Sequence, residues 1–382
     1  MFPIELVHCI LQHVACDTDD SARMLRACSL VCWGWLCLCR QILYKSLKLD
    51  GERDIQRFSA HTASLLNTYS KFVSSIQVKN GDDRVLRHLF SRLSTFQRLK
   101  SLALSANFLK IRDYSLLAGI TSLDVTGSNF RLFSVFCDLL HAFPALKSLK
   151  IEAMLQVIHP GGELAASVPR LDLDTLSIKI TQNSPWAVWL SSGTPPVARV
   201  LDLRSHTRAE EISRVTAERL SRYLRSLNVR LEKLMLAEPI YANLEGVDFS
   251  TNTGLRCLHV SNTMKLMSQL VSPLPRPSWK AVISLSFVNL LDHLAAGNAR
   301  LEALTLEVAI NPRTPYARQF IGGDAAISAL VDVLQRPAFA GIQRLEFHAE
   351  WSKWTDSDLV EEFRALVVDT LPESLAQMAV LL

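Results

Sequence analysis

The 382-residue sequence has no uncharged apolar run of the roughly 18 to 20 residues that a membrane helix needs; its longest candidate, Ala27 to Cys39, falls short. It also lacks the basic start and small-residue cleavage site of a secretory signal, and Glu5 interrupts its first apolar run. From these absences a cytosolic or nuclear chain is expected, in which the eight cysteines would stay reduced and no disulfide framework is implied. Charge of one sign is scarce as well. With 41 Lys and Arg against 37 Asp and Glu, the net +4 is too dilute over this length to imply nucleic acid or an anionic membrane. Cys28, Cys32, Cys37 and Cys39, with His8 and His13 nearby, contain no C-x-x-C pair of the kind structural zinc favours, so they read as buried free thiols. Catalytic signatures are absent too: there is no G-x-S-x-G elbow, no Walker loop, no H-E-x-x-H and no G-x-G-x-x-G behind a strand. Gly161-Gly162 and Gly322-Gly323 read as turns. No cofactor and no metal are expected.

What the chain does have is leucine. It holds 62, about one residue in six, where about one in ten is usual, and such an excess asks for a repeat search. The hexad apolar-x-x-apolar-x-apolar recurs from residue 73 onward. It appears as Val73/Ile76/Val78, Leu99/Leu102/Leu104, Ile120/Leu123/Val125, Leu146/Leu149/Ile151 and Leu173/Leu176/Ile178. It continues as Ala198/Leu201/Leu203, Leu231/Leu234/Leu236, Leu255/Leu258/Val260, Val282/Leu285/Phe287, Leu301/Leu304/Leu306 and Ile342/Leu345/Phe347. A further candidate rung, Tyr44/Leu47/Leu49, stands ahead of them.

In a short strand, two apolar residues two apart share a face, and one such face cannot be buried alone. Stacking the strands in parallel buries a continuous ladder, with the connectors packed outside it. Those connectors carry helical periodicity over Val85 to Phe96, Leu132 to Phe143 and Glu211 to Leu227. Loops are expected at Pro185 to Pro196, Ser272 to Trp279 and Asn311 to Gly323, and Leu99 to Leu109 alone has the full repeat form with Asn107. Thr355 to Asp369 and Pro372 to Leu382 read as helices capping the last rung. The expected fold is therefore an α/β leucine-rich-repeat solenoid, with parallel strands on the concave face and helices outside. A doubly wound two-layer α/β enzyme with an unrecognised site is the alternative, since alternating strands and helices suit that fold too.

Residues between the ladder positions should point away from the leucines. That rule gives a column of Ala103, Asp124, Lys150, Ser177, Asp202, Met235, His259, Ser286, Thr305 and Glu346, of which Asp124, Lys150, Asp202, Met235, His259 and Glu346 are candidates to face a partner protein. Its mixed polarity suits protein recognition. Residues 199 to 233 hold nine Lys and Arg against five Asp and Glu, but Glu210/Arg214 and Glu218/Arg222 lie at i, i+4 with Glu first, the pattern of a solvated helix face.

The first fifty residues follow another pattern. Pro3 pre-sets a helix with the stripe Ile4, Leu6, Val7, Ile10, Leu11 and Val14. Asp20 or Ser21 can cap a second helix, Ala22 to about Arg40, apolar almost all round. So small a unit cannot bury both faces, and a partner is implied.

The segments Phe2-Pro3-Ile4-Glu5-Leu6, Ile10-Leu11, Leu25 to Trp35 with Leu30-Val31-Cys32, and Leu43-Tyr44 together resemble an F-box over about 45 residues. Leucine-rich repeats after it match the order of parts in many fungal F-box proteins. The resemblance implies a substrate-recognition adaptor without enzymatic activity, docking the Skp-type subunit of a cullin ubiquitin ligase while the repeats hold a substrate protein. It marks Pro3, Leu6, Ile10, Leu11, Leu30, Val31, Trp35 and Tyr44 as adaptor-binding or module-core residues. The domain reading is an F-box-like helical module over 1–50 and a degenerate solenoid with a helical cap over 51–382. The other interaction reading is a scaffold without a ligase role, its first helices packed only on its own first rung.

Overall fold

The structure is a computed structural model that describes residues 3–16, 21–63, 70–80, 83–93, 95–105, 117–157, 169–181, 184–205, 212–244, 249–269, 278–297, 300–310, 320–322, 324–349, 377 and 379–381. The chain divides into two compact units, Met1–Pro169 and Arg170–Leu382.

The first unit begins with three helices, α1 (Ile4–Cys16), α2 (Ser21–Cys28) and α3 (Trp33–Leu43). Then follow β1 (Ser46–Asp50), α4 (Gly51–Ala63), β2 (Ser75–Lys79), α5 (Asp83–Leu93), β3 (Ser101–Ser105), β4 (Ser122–Leu132), α6 (Phe133–His141) and β5 (Ser148–Val157). The strands pair in chain order, each parallel to the next. Their register aligns Leu47, Ile76, Leu102, Leu123 and Leu149 in one rank and Leu49, Val78, Leu104, Val125 and Ile151 in the next. From the second strand on, every member of both ranks is buried. The candidate rung ahead of the series is therefore real: β1 is the first strand of the sheet.

One backbone device repeats at each rung entrance. The carbonyl of Lys45 accepts from the N–H groups of both Ser74 and Ser75, that of Ser74 from Lys100 and Ser101, that of Lys100 from Thr121 and Ser122, and that of Thr121 from Lys147 and Ser148. Turning into the next strand thus leaves none of these carbonyls orphaned.

The second unit holds β6 (Asp172–Ile180), α7 (Pro185–Leu190), β7 (Val197–Ser205), α8 (Arg214–Leu227), β8 (Lys233–Leu236), α9 (Glu238–Tyr241), β9 (Cys257–Gln269), β10 (Ser278–Ser284), α10 (Leu285–Ala296), β11 (Ala303–Ile310), β12 (Phe320–Gly322), α11 (Asp324–Leu334), β13 (Arg344–Ala349) and β14 (Ala379–Leu381). Strands β6, β7, β8, β9, β11, β13 and β14 run parallel in that order. Leu176, Leu201, Leu234, Leu258, Leu304 and Leu345 form its first buried rank, and Ile178, Leu203, Leu236, Val260, Leu306 and Phe347 its second. Each unit is thus a leucine-rich-repeat α/β solenoid, and α1–α3 form a small helical region ahead of the first strand.

Several expectations need correction. Val282/Leu285/Phe287 is not a rung, and Ser286 leaves the column with it. Ser278–Ser284 turns back antiparallel along β9, and Leu285 opens α10, whose Phe287, Leu290, Leu291 and Leu294 are buried at helical spacing. The expected loop from Pro185 contains α7, begun by a proline at its first position, with Trp186, Ala187, Trp189 and Leu190 buried. The single helix expected from Ala22 to Arg40 is two, because Cys32 adopts an extended backbone (φ −163°, ψ 170°) between α2 and α3. Ala379–Leu381, expected helical, is a strand on β13. Of the thiols expected to be buried, Cys39 is, whereas Cys32 and Cys37 are exposed. Asn107, Glu210 and Thr355 to Asp369 lie outside the described residues.

Candidate functional site

Two surfaces collect the residues singled out from the sequence. The first is the helical region. Val7, Leu11 and Leu25 with Cys39 form its core, and Val14, Cys28, Trp35, Leu38, Ile42 and Leu43 pack around them. Burial and the neighbouring Cys28 push the Cys39 thiol up, outweighing its own backbone hydrogen bond. Of the eight residues marked in this region, Leu11 is fully buried, Trp35 and Tyr44 are half-buried, and Pro3, Leu6, Ile10, Leu30 and Val31 face solvent. Leu6 and Ile10 stand one turn apart on α1, off the core stripe of Val7 and Leu11. At the α2–α3 turn, backbone bonds from Leu30 to Ala27 and from Val31 to Cys28 hold the chain so that Leu30 is 86% exposed. Next to them Trp33 is 76% exposed, a member of the surface that the motif did not mark. Seven of the nine large hydrophobic side chains exposed among the described residues fall within the first 33 positions.

The second surface is the side of the strands opposite the leucines. In the first unit the register brings Ala103, Asp124 and Lys150 into one column. Lys150 Nζ lies 3.6 Å from Asp124 and 3.1 Å from Glu152, and the Thr126 hydroxyl donates to Asp124. In the second unit, Ser177, Asp202, Met235, His259, Thr305 and Glu346 form an unbroken column over six strands. Asp202 is only 6% exposed, its Oδ2 taking hydrogen bonds from the Ser177 hydroxyl at 2.9 Å and from Arg204 Nε at 2.7 Å.

Glu346 accepts from the Thr305 hydroxyl at 2.9 Å, lies 3.2 Å from His348 Nε2 and pairs with Arg344. Burial raises its pKa, but the bonds from Thr305 and His348 and the charge of Arg344 outweigh that and leave the carboxyl below its usual range. His259 stacks edge-on to His348 with ring centres 6.0 Å apart. Burial, then His348 and Lys233, hold the His259 imidazole below its ordinary value, against the opposing pull of Asp202 and Glu346. Arg204, Arg344 and His348 belong to this network although the hexad did not select them; they sit two residues from a column member, on the same face of the strand.

The column is thus internally bonded yet chemically varied, with hydroxyls, a thioether, imidazoles and carboxylates in sequence. Among the described residues no group of three His, Cys, Asp or Glu could hold a metal ion, and no helix is long and apolar enough to cross a membrane. In the basic stretch of 199–233, Arg199, Arg204, Arg214 and Arg230 are ion-paired. Arg214 meets Glu218 at 3.1 Å within α8, and Arg199 makes a two-pronged pair with Glu232 at 3.1 and 3.0 Å, which raises the Arg199 pKa and lowers that of Glu232.

No protein-family profile matches the chain, and no curated protein does. Among solved structures, the chain is similar to the leucine-rich-repeat-containing protein LegL7 of Legionella pneumophila, with 16% identity over 84% of this chain and 97% of that one and a TM-score of 0.41. It is also similar to an internalin (inlF) of Listeria monocytogenes, with 16% identity over 95% and 96% and a TM-score of 0.30.

Proposed function

We propose that this chain is a protein-interaction adaptor without catalysis of its own, using two surfaces for two partners. The polar strand faces, Asp124 and Lys150 in the first unit and Asp202, Met235, His259 and Glu346 in the second, serve protein recognition. The helical module of residues 1–50 docks a partner of its own, as an F-box docks the Skp-type subunit of a cullin ubiquitin ligase, so that the protein held by the repeats of 51–382 is presented for ubiquitin transfer.

The observation that carries the reading is the exposure of Leu30, Val31 and Trp33 at the α2–α3 turn, with Leu6 and Ile10 on α1. Burying a side chain of Leu or Val size is worth about 1.5–3 kcal/mol, so an apolar turn left in water is a standing incentive to associate. The bonded, polar strand column supports protein recognition, since its hydroxyls, carboxylates and imidazoles suit the polar groups of another protein better than they suit lipid.

The test is co-elution of the full chain with a Skp-type adaptor on size exclusion. The expected result is a stoichiometric complex that a Leu30→Asp, Val31→Asp variant abolishes. A second reading, a scaffold with no ligase partner, is favoured by the closed core of Val7, Leu11, Leu25 and Cys39, which gives α1–α3 a packing role of their own. A monomer that ignores the adaptor would select it.

A further inference from the structure

A cleft of about 470 Å³ opens in the first unit where α1 and the end of α3 meet the entrances of the first three rungs. That volume lies within the range of small-molecule sites. Its charged lining is entirely cationic: Lys45 at the entrance to β1 and Arg98 before β3 contribute, and no carboxylate does. Neither side chain has a partner among the described residues. Gln12 and Gln41 add amide groups, and Phe72, Ile42 and Ala15 supply an apolar wall. His8 also lines the cleft. The Gln12 amide donates to its Nε2 at 2.9 Å, which leaves the ring proton on Nδ1, a buried atom that meets no acceptor.

Lys45 differs in this from the matching row of the second unit. In the second unit, the position two residues before the first ladder leucine reads Arg199, Glu232, Arg256 and Glu302 on successive parallel strands. There the charges neutralise one another, Arg199 with Glu232 at 3.0 Å and Arg256 with Glu302 at 3.1 Å. The same position in the first unit reads Lys45, Ser74, Lys100, Thr121 and Lys147, with hydroxyls where the second unit has acids. Two strand spacings, about 10 Å, separate the rungs that carry Lys45 and Arg98, a gap that two long side chains close around a group lodged between them. A guanidinium fork and an ammonium lining one cleft match the oxygens of a phosphate.

We propose that this cleft binds a small organic phosphate monoester with a flat apolar body, Lys45 and Arg98 holding the phosphate and Phe72, Ile42 and Ala15 packing on the body. The cleft is lined by none of the exposed side chains Leu6, Ile10, Leu30, Val31 and Trp33 and by none of the strand-face candidates, and it stands whether or not the adaptor reading does.

Isothermal titration of the full chain with phenyl phosphate, beside inorganic phosphate and phenol, tests it. Saturable binding of phenyl phosphate is expected, tighter than that of either fragment and weakened by added salt. Lys45→Met and Arg98→Met should each weaken it about ten- to hundredfold, the loss of one charge-assisted contact. Phe72→Ala should weaken phenyl phosphate while leaving inorganic phosphate unchanged. Because Lys45 and Arg98 are exposed and unpartnered among the described residues, their variants should melt with the wild-type chain when no ligand is present, which separates lost binding from lost folding. No saturable binding by about 10 mM, weaker than any affinity worth assigning to a site, overturns the proposal, as does equal binding by the Lys45→Met, Arg98→Met double variant.

Discussion

Leu149 and Lys150 are neighbours in β5 that face opposite ways, and the consequences of losing each should differ accordingly. Leu149 is fully buried beside the ladder leucine Leu123, so Leu149→Ala leaves a cavity and should cost about 2–5 kcal/mol in urea unfolding. Lys150 makes two ion pairs from a side chain 34% exposed, so Lys150→Ala should change stability by no more than about 1 kcal/mol. Equal damage from both would overturn the register. That contrast could be read directly from the spacing of the apolar residues, because alternation in a strand is geometric. The requirement at Gly254 could not. A Cβ there would sit 2.0 Å from the carbonyl oxygen of Val229, a contact made by chain 25 residues away. Gly254→Ala should therefore force the backbone apart and lower the melting temperature of the full chain, whereas Gly34→Ala, whose Cβ would meet only Cys32 Sγ at 3.9 Å, should not.

Elements were legible where one period acted alone and misread where two overlapped. Ten of the eleven hexads are strands because short buried strands with leucines two apart admit little else. Val282/Leu285/Phe287 satisfies the hexad only by straddling a strand end and a helix start. Pro185 to Pro196 reads as a loop by its prolines, yet Pro185 is a helix opener and Trp186 and Trp189 fill the core behind it.

The α2–α3 break was hidden because Leu30 and Val31 look like core residues. Their exposure makes a prediction at the level of the element. The Leu30→Asp, Val31→Asp variant should keep the wild-type unfolding free energy within about 0.5 kcal/mol while losing its docking partner, since both side chains are mostly exposed. Trp35→Ala, half-buried against the helical core, should cost about 1–3 kcal/mol, less than a fully enclosed tryptophan. Chemical denaturation of both variants checks the pair, and a Leu30→Asp, Val31→Asp variant as unstable as Trp35→Ala would mean that the turn packs inward.

At the scale of the whole molecule, the strand column links stability to pH, because two of its members, His259 and Glu346, are held below their ordinary values. For His259, the folded chain binds the proton less readily than the unfolded chain, whose imidazole titrates near 6.5. Its contribution is therefore complete above 6.5 and is lost as the pH falls toward the lower, folded value. Glu346 follows the same sign further into acid: its contribution is present above the ordinary carboxyl value of 4.5 and disappears as the pH falls through the depressed one. The groups facing them, His348, Lys233, Asp202 and Arg344, set the size of each step, and none of them reverses its direction.

The melting temperature of the full chain should thus decline in two stages on acidification from about pH 8 to about pH 2, the His259 stage first and the Glu346 stage below the ordinary carboxyl value. His259→Asn should remove the first stage and leave the second. Glu346→Gln should flatten the second while lowering stability at neutral pH, where the carboxylate's bonds to Thr305, His348 and Arg344 are lost. A melting temperature constant from pH 8 to pH 5, or a decline unchanged by His259→Asn, would show that the imidazole is not held neutral by its place among these strands.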